Sequence, residues 1–122
     1  MTDSLAHRLN GYGATAGSAI ASHMGISKIA FTGSTATGRK IMAAAAASNL
    51  KKVSLELGGK SAHIVFEDAD IDKAVFWACV GIYANQGQAC SAGSRLFVQE
   101  AVYDEFVEKM GKASQSWAVG DP

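Results

Sequence analysis

The sequence holds 122 residues, 48% hydrophobic and 18% charged, the balance of one modest soluble globular domain able to bury a core. Eleven basic residues meet eleven acidic ones for a formal net charge of zero, so neither nucleic acid nor an anionic membrane surface is expected as a partner. Two cysteines, a single proline and apolar runs broken well short of a bilayer argue against a disulfide-stapled secreted domain and against a membrane span, and point to a reducing, cytoplasmic setting.

Met1 to Asn10 shows neither a signal-peptide core nor an Arg-rich amphipathic pattern. From Ala14 to Met24, residues Ala16, Ala19, Ile20 and Met24 recur at helical spacing, and Gly25 offers a stop. Lys28 to Phe31 reads as a short buried strand. Thr32-Gly33-Ser34-Thr35 is a turn that carries a capping hydroxyl into a helix over Ala36 to Ser48, rich in alanine and ended by Asn49.

Polar and apolar residues alternate from Lys52 to Leu57, the pattern of a half-buried strand, and Gly58-Gly59 breaks it. Ala62 to Phe66 is a second apolar strand. Asp68 or Asp70 caps a helix whose Ile71, Ala74, Val75, Ala78, Cys79 and Ile82 share one face. A turn around Cys90, a strand from Arg95 to Gln99 and an amphipathic helix bearing Val102, Phe106, Met110, Ala113 and Trp117 complete the order. The Glu105/Lys109 and Glu108/Lys112 pairs sit four apart with the acid first, the favourable orientation on an exposed face. Strands alternating with helices predict α/β architecture with parallel pairing.

The chemistry concentrates at two places. In Asn85-Gln86-Gly87-Gln88-Ala89-Cys90-Ser91 a thiol follows a helix-breaking turn, where its sulfur and its own N–H can address one small electrophile. Cys79, on an apolar helix face, reads as packing. Glu56 lies on the polar side at the carboxyl end of its strand, the place for a base, although a lone glutamate is more commonly only solvated.

Other patterns fall short of a site. Gly33 to Lys40 nearly spells a phosphate loop, yet Arg39 fills the lysine slot and Lys40 the hydroxyl slot, and Lys60-Ser61 lacks the leading glycine at Ser54. Gly33 and Ser34 at a helix entrance keep the simpler capacity to hold a pyrophosphate, while Gly11-Tyr12-Gly13 with Gly17 is one residue off the dinucleotide fingerprint. His7, His23 and His63 are scattered, so no metal site is expected. Trp77 and Trp117 read as core or interface rather than ligand contacts.

Leu55-Glu56-Leu57-Gly58-Gly59-Lys60-Ser61 and Gly87-Gln88-Ala89-Cys90 resemble the two signature segments of the aldehyde dehydrogenase superfamily, in that family's order and at about its separation. Ala30-Phe31-Thr32-Gly33-Ser34-Thr35 and Gly11 to Gly17 are similar to its cofactor-side segments, so the resemblance covers Gly11 to Pro122. It implies part of the aldehyde dehydrogenase fold, with residues 1–58 the end of an NAD(P)-binding, Rossmann-type domain and 59–122 the start of the catalytic domain. It implies Cys90 as nucleophile, Glu56 as water-activating base, Gly13, Gly17, Gly33 and Ser34 as contacts to NAD or NADP, and Leu57 and Gly58 as a wall under the nicotinamide.

An aldehyde is the implied substrate, and the parent enzyme is implied to be a homodimer or homotetramer. Chains of that family are several times longer, so this one is expected to be a central fragment, inactive alone, whose Met1 to Asn10 departs from the family pattern. With the true N-terminus in question, a mitochondrial setting stays open beside the cytoplasmic one. Two rival readings are a non-catalytic truncated or interaction fragment and a CoA-acylating dehydrogenase. Glu56 argues against the second, because that branch typically replaces the glutamate.

Overall fold

The computed structural model describes residues 6–121, so the reading of Met1 to Asn10 falls partly outside the described residues. The chain divides into two compact units, Met1–Leu57 and Gly58–Pro122.

The first unit opens with a π turn over Gly13–Gly17 that runs directly into α1 (Ser18–Ser22). This is shorter than the helix the spacing predicts, because His23 turns to extended backbone and its Nδ1 accepts from the Gly25 N–H at 3.0 Å. Met24 is consequently exposed, and Ala21 is the residue of α1 that is buried. β1 (Lys28–Gly33) extends two residues beyond the predicted strand, with Ile29 in the core and Phe31 half-buried.

α2 (Thr35–Ala47) lies one residue earlier than the expected Ala36 to Ser48, because the capping hydroxyl is that of Ser34, whose Oγ accepts from the Thr37 N–H at 3.2 Å. Its return strand β2 (Lys52–Leu57) pairs parallel with β1, Ile29 opposite Val53 and Thr32 opposite Glu56. The alternation in β2 is realised as expected: Val53, Leu55 and Leu57 are half-buried while Lys52, Ser54 and Glu56 face solvent. Gly38 lets α2 sit close to the sheet, since a β-carbon there would lie 3.0 Å from Leu57 Cδ2.

The second unit repeats the strand–helix–strand plan. β3 (Ala62–Val65) pairs parallel with β4 (Arg95–Val98), and α3 (Ile71–Tyr83) lies between them in sequence. Phe66 and Gln99 fall outside these strands, and Phe66 is 61% exposed. Asp70, of the two candidates, caps α3 by accepting from the Lys73 N–H at 3.1 Å. α4 (Glu100–Gln115) packs on α3, and Val65, Val75, Ala78, Cys79 and Phe106 close the core between them.

Both expected acid-first pairs form on α4, Glu105 with Lys109 at 2.9 Å and Glu108 with Lys112. Lys109 also reaches Asp72 on α3 at 2.7 Å, tying the two helices at their exposed edge. Trp117 lies past the end of α4, edge-on to Tyr83, and Trp77 is 59% exposed, outside the core of its unit. No helix among the described residues is long and apolar enough to cross a membrane, and no cluster of His, Cys, Asp or Glu among them could hold a metal ion.

Candidate active site

Cys90 is presented by strained backbone. α3 ends at Tyr83, and a short 3₁₀ turn (Ala84–Gly87) follows in which Asn85, Gln86 and Gly87 take left-handed φ values of 56°, 59° and 71°. Two non-glycine residues in succession there are unfavourable for L side chains and persist only where the surroundings impose them. Gly87 is required as glycine: a β-carbon would stand 3.0 Å from the Ile82 carbonyl oxygen.

The chain then turns through Ala89 to Ala92, closed by the Ala92 N–H donating to the Ala89 oxygen at 3.1 Å. The Gly93 N–H donates to the Gly81 oxygen at 3.0 Å, fastening the far side of the turn to α3. Cys90 is left exposed at its tip while Cys79 is buried against the sulfur of Met110, 3.5 Å away. The first glycines of the second unit approach the same turn. A β-carbon on Gly59 would come within 3.2 Å of the Cys90 carbonyl oxygen, so the Gly58-Gly59 break and the Cys90 turn, far apart in sequence, run side by side.

Glu56 is the last but one residue of β2 in the first unit, with its side chain exposed on the polar face. The Leu57 side chain is directed at Gly38 of α2, and its backbone lies opposite Gly33 at the end of the ladder. Ser34 does two things with one hydroxyl, accepting from the Thr37 N–H and donating to the Thr37 Oγ1 at 3.0 Å. The N–H groups of Thr35 and Ala36 lie in the first turn, where no intrahelical acceptor exists, and the positive end of a thirteen-residue helix lies behind them.

Gly13 and Gly17 line a cleft of about 460 Å³ in the first unit. Its walls are the π turn with α1 on one side and Thr37, Lys40, Ile41 and Ala44 of α2 on the other, with Phe31 between. The α2 residues recur at helical spacing, a signal present in the sequence but not carried by its glycine motifs. A β-carbon on either Gly13 or Gly17 would meet nothing within 4 Å, so it would project into open space that a ligand could fill. The volume and the mostly apolar lining suit a flat organic group.

The model of a family described as "Aldehyde dehydrogenase family" matches residues 3–122. Aldehyde dehydrogenase family 2 member C4 of Arabidopsis thaliana is 59% identical over 120 residues, 98% of this chain and 24% of that protein. Among solved structures, PnpE in complex with nicotinamide adenine dinucleotide superposes with a TM-score of 0.85 at 56% identity, over 92% of this chain and 23% of that one. The aldehyde dehydrogenase KauB from Pseudomonas aeruginosa gives 0.89 at 45% identity, over 93% and 23%. The chain thus spans about a quarter of the length of the relatives it matches.

Proposed function

The chain belongs to the aldehyde dehydrogenase family, and on that premise we propose that it carries the nucleophile, the base and part of the cofactor cradle of an enzyme that oxidises aldehydes to carboxylic acids. The observation that carries the reading is the exposed Cys90 thiol at the tip of a turn held by left-handed backbone and by the close passage of Gly59.

The Cys90 thiolate attacks the aldehyde carbon, forming a C–S bond and pushing the carbonyl electron pair onto oxygen, which the Cys90 N–H stabilises. NAD or NADP, held by Gly13, Gly17, Gly33 and Ser34 with Leu57 and Gly58 at its nicotinamide end, would supply a hydride acceptor for the tetrahedral carbon. Cys90 is then held as a thioester. Glu56 takes a proton from water, whose oxygen attacks the thioester carbon, the C–S bond breaks and the thiolate returns. An acid at this position favours hydrolysis over transfer to coenzyme A.

The residues present fit a dinucleotide. The α2 N-terminus with Ser34 suits a pyrophosphate, Gly33 leads the chain into that turn, and the cleft beside Gly13 and Gly17 suits the adenosine end. Leu57 and Gly58 offer main chain for the nicotinamide end. Phosphate contacts of this kind are common to NAD and NADP.

The reading is tested by a chimera in which residues 11–121 replace the matching stretch of a full-length relative. NAD- or NADP-linked oxidation of short aldehydes is expected, abolished by Cys90→Ala. Glu56→Gln should keep the first-turnover burst of reduced cofactor while slowing steady-state turnover by about a hundredfold. A folded chimera that lacks activity where its host is active, or one indifferent to Cys90→Ala, would refute the assignment.

A further inference from the structure

The loop between α2 and β2 contains a buried lysine that the chemistry above does not use. Lys51 is 6% exposed, and its Nζ donates to the Ala21 carbonyl oxygen and to Ser48 Oγ, both at 2.6 Å. Ala21 lies in the last turn of α1 and lines the cleft. Ser48 is the C-cap of α2 and donates its hydroxyl to the Ala45 oxygen at 3.2 Å, one residue past Ala44 of the opposite wall. One amino group therefore bridges the C-terminal ends of the two helices that form the cleft.

A cation is well placed there, because the carbonyl ends of both helices carry partial negative charge. Asn49 extends the same tie, its Nδ2 donating to the Met24 and Ile26 oxygens at 2.8 and 2.9 Å and fixing the segment that leaves α1. α1 has five residues, too few to hold its shape by helix propensity alone, so its position depends on such external bonds.

We propose that Lys51 is a positioning residue for the dinucleotide: by joining α1 to the end of α2 it sets the width of the cleft and so the affinity for the adenosine end. The proposal rests on the reading of that cleft as the adenosine site. Removing the amino group while keeping the stem frees α1 to drift from α2 and takes the donor from the Ala21 carbonyl oxygen and from the Ser48 hydroxyl oxygen. Arginine keeps the charge and the reach.

The experiment titrates the full-length chimera carrying residues 11–121 with NAD and with adenosine monophosphate by calorimetry and follows amide hydrogen exchange. Lys51→Met is expected to weaken both ligands by about tenfold, the size of one lost charge-assisted bond, and Lys51→Arg to restore them to within about twofold. Ser48→Ala should weaken them by about threefold, and reports on the bridge even if Lys51→Met fails to fold. Faster exchange should be confined to the amides around Ala21 to His23, with the alkylation rate of Cys90 in the other unit unchanged.

Gly17→Val, which fills the cleft, separates the two claims. If it leaves NAD affinity intact, or if the unaltered chimera binds neither ligand where its host binds both, the cleft is not the adenosine site and both readings fall. If it abolishes binding while folded Lys51→Met, or Ser48→Ala in its stead, binds as tightly as the unaltered chimera, the positioning role alone is overturned.

Discussion

The backbone of Gly59 passes so near Cys90 that a β-carbon on the glycine would stand 3.2 Å from the cysteine's carbonyl oxygen. A contact that tight is relieved when the Cys90 turn moves away by a few tenths of an ångström, because the other partner is the backbone leaving β2. Displacement of a nucleophile on that scale is costly to catalysis and cheap to folding. Gly59→Ala in the full-length chimera should lower kcat/KM by roughly tenfold while its thermal midpoint changes little. An unaltered kcat/KM would show that the approach has no bearing on the thiol.

The two cysteines differ in access. Cys90 is exposed and Cys79 is buried in the core. Iodoacetamide under native conditions should modify Cys90 faster than Cys79 by at least about a hundredfold, and the two should converge in denaturant. Peptide mapping after timed quenching measures both rates. Comparable native rates would contradict the packing of α3 against α4.

Phe106 is the largest fully buried side chain of the second unit and touches the core from α4. Phe106→Ala removes the ring and leaves a cavity, for a loss of about 3 to 5 kcal/mol in the urea unfolding of the chain. A loss below about 1 kcal/mol would mean that the helices close over the gap.

The Asp70 carboxyl is held below its ordinary range, chiefly by the Lys73 backbone N–H and then by the Lys73 side chain. The charged form is therefore favoured in the folded chain, so its contribution is present above the unfolded value near 3.8 and is lost as pH falls through the lower folded value. Asp70→Asn keeps a competent cap without the titration. Thermal midpoints measured from neutral pH down through the acid range should fall less steeply in the variant. Parallel curves would remove Asp70 from the acid response.

The chain by itself is expected to turn over no aldehyde. It matches about a quarter of each relative, and productive transfer needs donors to both riboses and a second oxyanion donor, each such donor commonly worth about a hundredfold or more. Several large apolar side chains, among them Phe66, Trp77 and Phe97, are also exposed and favour self-association. Absorbance of reduced cofactor with a panel of short aldehydes checks the first point and light scattering the second. Turnover near the enzyme median of about ten per second would show that the site is complete in this chain.

Local signals in the sequence were sufficient for the elements. The alternation in Lys52 to Leu57, the caps at Ser34 and Asp70, and the acid-first pairs on α4 each act within a few residues, and each forms as its chemistry requires. The motifs around Glu56 and Cys90 were legible for the same reason, since each is a contiguous run. Tertiary structure decided what depends on distant partners. α1 stops early because the His23 ring takes the Gly25 N–H, Leu57 is turned to Gly38 by packing, and Gly59 meets Cys90 across thirty residues of chain. Lys51 is the sharpest case: its exposed neighbours gave no hint that it is buried, because its acceptors lie at Ala21, thirty residues away, and at Ser48, whose hydroxyl gains its role only when α1 is brought alongside α2.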